Sequence, residues 1–296
     1  MLQYNRGIAM KKLEIMEFNV TKEEQLLNFL YQNVQGKSKN NIKSLLKNGQ
    51  VFVNSKKQTK FDFLLNKNDH IKIQLRKLNS FPYKILYEDE SLIAIEKPAG
   101  VLTISTEQEK EKTAYKIVRN YLQKKGQKVF IVHRLDRDTS GILLFAKNEK
   151  MKIMLQKHWN DITLKRGYMA IVEGPMKTDF GTIRSFLKEE NNKMVHSTKG
   201  MDGKLAITRY QTIEKNKEYS LLEVFLETGR KNQIRVHMSE AGHPIIGDTK
   251  YHATKNPIGR LGLHSHILEF IHPFSKKIIS LETPIPDKFS KLLKHE

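Results

Sequence analysis

The chain has 296 residues and no cysteine, and its 52 Lys and Arg outnumber 32 Asp and Glu to leave a formal charge of +20. Disulfides, thiol catalysis and Cys-ligated zinc are thereby excluded, and a hydrophobic share of 39% marks a globular chain, not a disordered one. The charge excess favours an anionic partner, nucleic acid ahead of an anionic membrane, and the length allows one sizeable core plus a small satellite domain.

No run reaches the roughly 18 apolar residues of a membrane span. Met1 to Lys12 shows no apolar signal region, so the cytoplasm is the expected compartment, with Met10 as an alternative start. The first unit is expected over residues 1–78. Thr21, with Glu24 in capping-box position, predicts a helix whose apolar face is Leu26, Leu27 and Leu30. A second helix is predicted from Lys39 to Lys47, with Ile42, Leu45 and Leu46 inward and Asn48-Gly49 as its stop. Lys39, Lys43 and Lys47 then form a basic stripe on the opposite face. Such a stripe suits a phosphate backbone, although an ordinary solvated face has the same pattern. Val51-Phe52-Val53 and the alternating Ile71 to Leu75 read as strands.

Lys77 to Pro82 reads as a linker into a second domain, residues 79–296. There Leu92 to Ile95 is a strand candidate that runs into the turn-rich Glu96 to Gly100. Helices are predicted from Thr113 to Lys124 and from Asn148 to Trp159. Between them lies His133-Arg134-Leu135-Asp136-Arg137-Asp138-Thr139-Ser140-Gly141, followed by the apolar run Ile142 to Ala146. A loop this charged, entering a core strand, is either a solvated corner or a site. Asp136 is its strongest candidate: Arg134 and Arg137 offer the carboxylate opposite charge, and a carboxylate on a rigid loop can act as nucleophile or base. Thr139 and Ser140 can tie the loop down, and His133 can stiffen it by a hydrogen bond.

Lys165 to Glu173, Ala206 to Ile213 and Tyr219 to Glu227 read as strands, with a polar loop or hairpin over Lys188 to Lys204. Thr228 to His237 joins a strand to a helix carrying Ile234 and Met238; next to Arg230, its start offers an anion seat, or else an ion-pair corner. A breaker-rich loop spans Gly242 to Tyr251. Strands at Leu263 to Phe270 and Lys277 to Leu281 and a short helix from Pro286 to Lys294 complete the chain. Many strands, few helices and no regular alternation predict an α+β fold with a largely antiparallel sheet. No strong metal-ligand spacing occurs, His264 and His266 included, so no metal is expected; no glycine-rich nucleotide loop occurs, so no cofactor is expected.

The pattern from His133 to Leu143 resembles the RluA-type family of RNA pseudouridine synthases. Further resemblance lies in Lys97 to Gly100, Gly167 to Ala170, Thr228 to His237, Gly242 to Tyr251 and Leu261 to Pro273. The first unit more weakly resembles the S4-like RNA-binding domain first recognised in a ribosomal small-subunit protein, through Leu30, Ile42, Leu46, Gly49, Gln50, Val51, Val53 and Asn54. The resemblance implies a pseudouridine synthase fold with a mixed, largely antiparallel sheet and a catalytic cleft. It implies isomerisation of uridine in structured RNA, large-subunit ribosomal RNA first and transfer RNA as the rival, by a monomer. Asp136 matches the catalytic aspartate, Tyr168 the active-site tyrosine, Arg230 the basic partner of the aspartate, and Arg137 the residue that displaces the target base. Ile234 and Leu261 match pocket lining; His133, Arg134 and Thr139 are carried with the motif as substrate contacts. Departures are Asn232 where His is usual, His252 where Gly is common, and Thr103-Ile104 where a Val-His pair is frequent. The alternative is a noncatalytic RNA-binding or ribosome-assembly protein.

Overall fold

The computed structural model describes residues 14–75, 81–107, 109 and 112–293, and the chain divides into two compact units, Met1–Ser80 and Phe81–Glu296. Met1 to Lys12 and the Lys77 to Ser80 part of the expected linker lie outside the described residues. Among the described residues, no helix is long and apolar enough to cross a membrane.

The first unit holds β1 (Glu14–Asn19), β2 (Glu24–Gln25), α1 (Leu26–Asn33), α2 (Lys39–Lys47), β3 (Val51–Val53), β4 (Lys56–Gln58), β5 (Leu64–Leu65) and β6 (His70–Leu75). Four of these strands form one sheet in the order β1-β6-β3-β4. Leu26, Leu30, Ile42 and Leu46 pack with Val51, Ile71 and Ile73 into its core. Ser38 caps α2 by accepting from the Asn41 amide at 3.3 Å. Lys39, Lys43 and Lys47 are exposed while Ile42 and Leu46 are buried. Thr21 does not cap α1, which starts later than predicted. Glu24–Gln25 pair with Leu64–Leu65, and the Leu26 amide donates to Phe63 O, so the backbone there makes a ribbon first.

The second unit runs β7 (Ile85–Glu88), β8 (Leu92–Lys97), α3 (Ala114–Gln123), β9 (Phe130–Ile131), β10 (Ser140–Ala146), α4 (Glu149–Ile162) and β11 (Thr163–Glu173). It continues with β12 (Phe180–Glu189), β13 (Val195–Thr198), β14 (Lys204–Lys215), β15 (Tyr219–Leu226), α5 (Gln233–Glu240), β16 (Leu263–Ile271), β17 (Ile278–Glu282) and α6 (Asp287–Leu293). The sheet order is β13-β12-β14-β15-β11-β16-β10-β8-β7, with β17 on β16 and β9 on β10. Its pairs are antiparallel except β10 with β16, which gives the α+β, mixed sheet.

Asn148 caps α4 through the Met151 amide at 2.8 Å, and Thr113 caps α3 through the Lys116 amide at 3.2 Å. The two helices cover opposite faces of β8 and β10. Val118 and Leu122 meet Ile93, Ile95, Leu143 and Phe145 on one side; Met151 and Leu155 meet Leu92, Ala94, Ile142 and Leu144 on the other. Strands covered on both faces read as unbroken apolar runs, because every side chain goes into a core. Each such Leu or Ile contributes roughly 1.5–3 kcal/mol on burial.

The β10–β16 contact is short and close. Gly141 has φ +111°, and a Cβ there would lie 2.0 Å from Ser265 O. Gly141→Ala is therefore expected to cost about 3 kcal/mol or more, from backbone strain together with displacement of β16. Urea denaturation with an unchanged m-value would measure it.

Candidate active site

The loop between β9 and β10 carries Asp136, and three side chains, Lys97, Thr103 and His133, fix it. Lys97, with no exposed surface, donates from Nζ to the carbonyls of Pro98 at 3.1 Å, Val101 at 2.8 Å and Arg137 at 3.0 Å. Thr103 Oγ1 donates to Leu135 O at 2.7 Å and accepts from the Leu135 amide at 3.1 Å. His133 Nε2 accepts from the Leu144 amide at 3.0 Å while its ring stacks on Trp159 at 5.0 Å. Burial pushes His133 down to about 4, so the ring is neutral at physiological pH. Burial likewise pushes Lys97 down to about 8, against the pull of Asp138 and Asp136.

Asp136, 37% exposed, accepts from Arg235 Nη1 at 2.9 Å. Arg235 also forks onto Asp248, Nε to Oδ2 and Nη2 to Oδ1, each at 2.7 Å, and Asp248 is 1% exposed. Tyr251 lies beneath the guanidinium at 5.0 Å, its hydroxyl held by Asn232 Nδ2 at 2.9 Å. Burial opposes the Arg235 charge, but the Asp248 hydrogen bonds and the two carboxylates outweigh it and raise its proton affinity.

Asp136 opens into a cavity of about 750 Å³, within the roughly 300–1,000 Å³ of small-molecule sites. Asp136, His133, Arg134, Arg137, Tyr168 and Arg230 all line it, with Arg166, Lys231 and Trp159. Burial raises the Tyr168 phenol, with Asp136 adding to the rise and Arg166 and a Ser265 hydrogen bond pulling it back, so the ring is presented as a neutral phenol. Arg137 Nε donates to Gly100 O at 3.3 Å.

The pairing expected of Arg230 falls to Arg235 instead. Asn232 adopts a left-handed φ of 54° and α5 begins immediately after it, which turns Arg235 toward Asp136 and Asp248. Arg230 stays on the preceding loop, its Nε donating to Leu205 O at 2.9 Å and its amide to Gln233 Oε1 at 3.0 Å. Thr139 does not reach the cavity; it is 2% exposed at the entry to β10. Ile234 and Leu261 do not line it either. They sit in the apolar cluster against which Tyr168 packs, so they support the tyrosine from behind. Lys39, Lys43 and Lys47 belong to the other unit. Sequence reasoning passed over Arg235, Asp248 and Lys97 as individuals, although all three lie inside motifs it had marked. The departure at His252 has a backbone reason: φ is +66° there, the region that favours Gly but that His also enters.

His237 and His264 are buried, and burial pushes each from an ordinary 6.5 to about 4. The unfolded chain therefore takes up protons first as pH falls. Their stability contribution is complete above pH 6.5 and is lost toward pH 4, at about 1.4 kcal/mol per unit for each histidine. Urea midpoints across that window should fall with pH, and less steeply for His264→Gln.

A family model described as RNA pseudouridylate synthase matches residues 91–240. "Uncharacterized RNA pseudouridine synthase YjbO" of Bacillus subtilis is 37% identical over 217 residues, 73% of this chain and 77% of that protein. "Ribosomal large subunit pseudouridine synthase D" of Nitrosomonas europaea is 35% identical over 231 residues, 74% of this chain and 67% of that protein. In fold, the chain is similar to human RNA pseudouridylate synthase domain containing 4, with a TM-score of 0.57 at 23% identity, covering 70% of this chain and 90% of that one.

Proposed function

The chain belongs to the RNA pseudouridylate synthase family and is an RNA pseudouridine synthase, and from that premise we propose that it acts on large-subunit ribosomal RNA with Asp136 as the reacting carboxylate. In the isomerisation the N1–C1′ bond of uridine breaks, the C5–C1′ bond forms, a proton leaves C5 and N1 gains one. Atoms balance within the substrate and catalytic acid–base groups.

The observation that carries the reading is the Asp136 carboxylate, partly exposed and ion-paired to Arg235, in one cavity with Tyr168. Asp136 meets the nucleoside while Arg235 fixes its direction, and Asp248 and Tyr251 hold Arg235 in turn. The Tyr168 ring gives the detached uracil a stacking surface on which to rotate. Extruding the base costs a few kcal/mol, which Arg134, Arg137, Arg166, Arg230 and Lys231 around the cavity offset through phosphate contacts. Arg137 is the side chain assigned to displace the base. We assign the first unit as an S4-like RNA-binding domain, on the strength of the exposed Lys39, Lys43 and Lys47 on α2. The choice of ribosomal RNA over transfer RNA rests on the likeness to the Nitrosomonas europaea relative, which is named for the large ribosomal subunit.

The test is tritium release from RNA labelled at uridine C5. Incubation of the full chain with large-subunit ribosomal RNA transcripts should release tritium in proportion to pseudouridine formed. Release confined to transfer RNA transcripts would overturn the substrate, and release from neither would overturn the reading.

A further inference from the structure

The second unit has another cavity, of about 540 Å³, walled by Tyr83 and by Pro82, Pro98, Pro284 and Pro286. Arg260, Lys97 and Lys84 bring positive charge to it. The Arg260 guanidinium donates from Nη1 to Ser140 Oγ at 2.8 Å and lies over the Phe289 ring at 5.0 Å. Among the described residues it makes no ion pair. Glu96 and Asp287 also line the cavity, yet burial disfavours the Arg260 charge and no carboxylate offsets it. Lys97 feels Arg260 as a repelling neighbour, and its three N–H groups already serve carbonyls. A half-buried guanidinium with one of five donors engaged, facing a stiff-walled cavity, is costly unless an anion completes it.

We propose that this cavity is a second anion site, taking a phosphate group against Arg260 with the exposed Lys84 at its rim, and that its occupancy steadies the Asp136 loop. The connection is physical. Arg260 only donates, so Ser140 Oγ accepts from it and donates to His264 Nδ1 at 2.8 Å; His264 Nε2–H then donates to Thr283 Oγ1 at 2.9 Å. Ser140 begins the strand that the Asp136 loop enters, and Lys97 in the cavity wall holds Arg137 O. The site is separate from the Asp136 cavity and does not depend on which RNA is modified.

The test titrates the full chain with inorganic phosphate by calorimetry and follows hydrogen exchange over residues 134–141. Two classes of site are expected, one lost in Arg230→Gln and the other in Arg260→Gln. Only the second should carry phosphate-dependent protection of the loop. Lys84→Glu, on the surface, should weaken that second class at least about threefold without moving the Tm, and it decides the matter should Arg260→Gln fail to fold. Weaker RNA binding in Lys84→Glu, with phosphate competing, identifies the phosphate as one of the RNA backbone; unchanged RNA binding with lost protection identifies a free phosphate or nucleotide. A single class of phosphate site, untouched by either Arg260→Gln or Lys84→Glu, would overturn the proposal.

Discussion

Asp136→Asn should lower pseudouridine formation about a thousandfold or more, the scale of losing a positioned acid–base or nucleophilic group, while leaving the fold intact. The two outcomes separate because the variant is isosteric. The Asn carbonyl can still accept from Arg235 Nη1, and Arg235 keeps both bonds to Asp248. What disappears is the negative charge and its capacity to attack or take a proton. Since the side chain is 37% exposed, the ion pair contributes modestly to stability, and the change in unfolding free energy should stay within about 1 kcal/mol. RNA affinity should hold or rise slightly, because removing an anion from a cationic cavity reduces repulsion of phosphate. Single-turnover tritium release beside a filter-binding isotherm reads both. Activity within tenfold of the parent would remove Asp136 from the chemistry, whatever else remained of the proposal.

How far the sequence foretold this arrangement depends on the range of the forces involved. The β8 and β10 runs are legible because two-sided burial demands apolar residues at every position, and 92–95 and 142–146 supply them. The strand at Lys165 to Glu173 is legible for the same reason, with Ala170 and Val172 in one apolar cluster and Met169 and Ile171 in another. The helices predicted from Thr113 and from Asn148 both form, and in the structure those two residues are their N-caps, each through a contact three residues long. By contrast, the helix expected after Thr21 begins at Leu26, since a remote partner at Leu64–Leu65 claims the intervening backbone. Short strands such as Phe130–Ile131 carry too few residues to show a period. The parallel pairing of β10 with β16 joins segments far apart in the chain, and nothing local encodes it.

The same limit explains the exchange of Arg230 for Arg235. Both lie in one charged stretch, and a motif carries no direction. Which guanidinium reaches Asp136 is decided by where α5 starts, and that is set by one left-handed residue, Asn232, whose side chain is tied to Tyr251. Of the two forms left open for Lys188 to Lys204, loop or hairpin, the hairpin is the one that forms, because Val195 and Leu187 find Ala206, Val236 and Tyr251 to pack against.

Arg235→Met should damage stability and activity together, and a second substitution can divide its effect in two. The variant leaves Asp248, 1% exposed, without its bidentate partner, and breaking a buried pair in this way costs about 3–5 kcal/mol. It also leaves Asp136 without the guanidinium that aims it. Arg235→Lys keeps a charge but offers a point donor in place of a planar fork, so it should recover part of the stability and little of the rate. The double variant Arg235→Met with Asp248→Leu replaces the buried pair by apolar groups, an exchange that is often neutral or stabilising. Its unfolding free energy should return to within about 1–2 kcal/mol of the parent, by the same reasoning, but its tritium release should stay as low as that of Arg235→Met. Stability and activity would then move apart along one cycle, as they must if Arg235 orients the reacting carboxylate in addition to closing the core beneath it. Recovery of both together would mean that Arg235 serves only the fold and that Asp136 needs no partner to react.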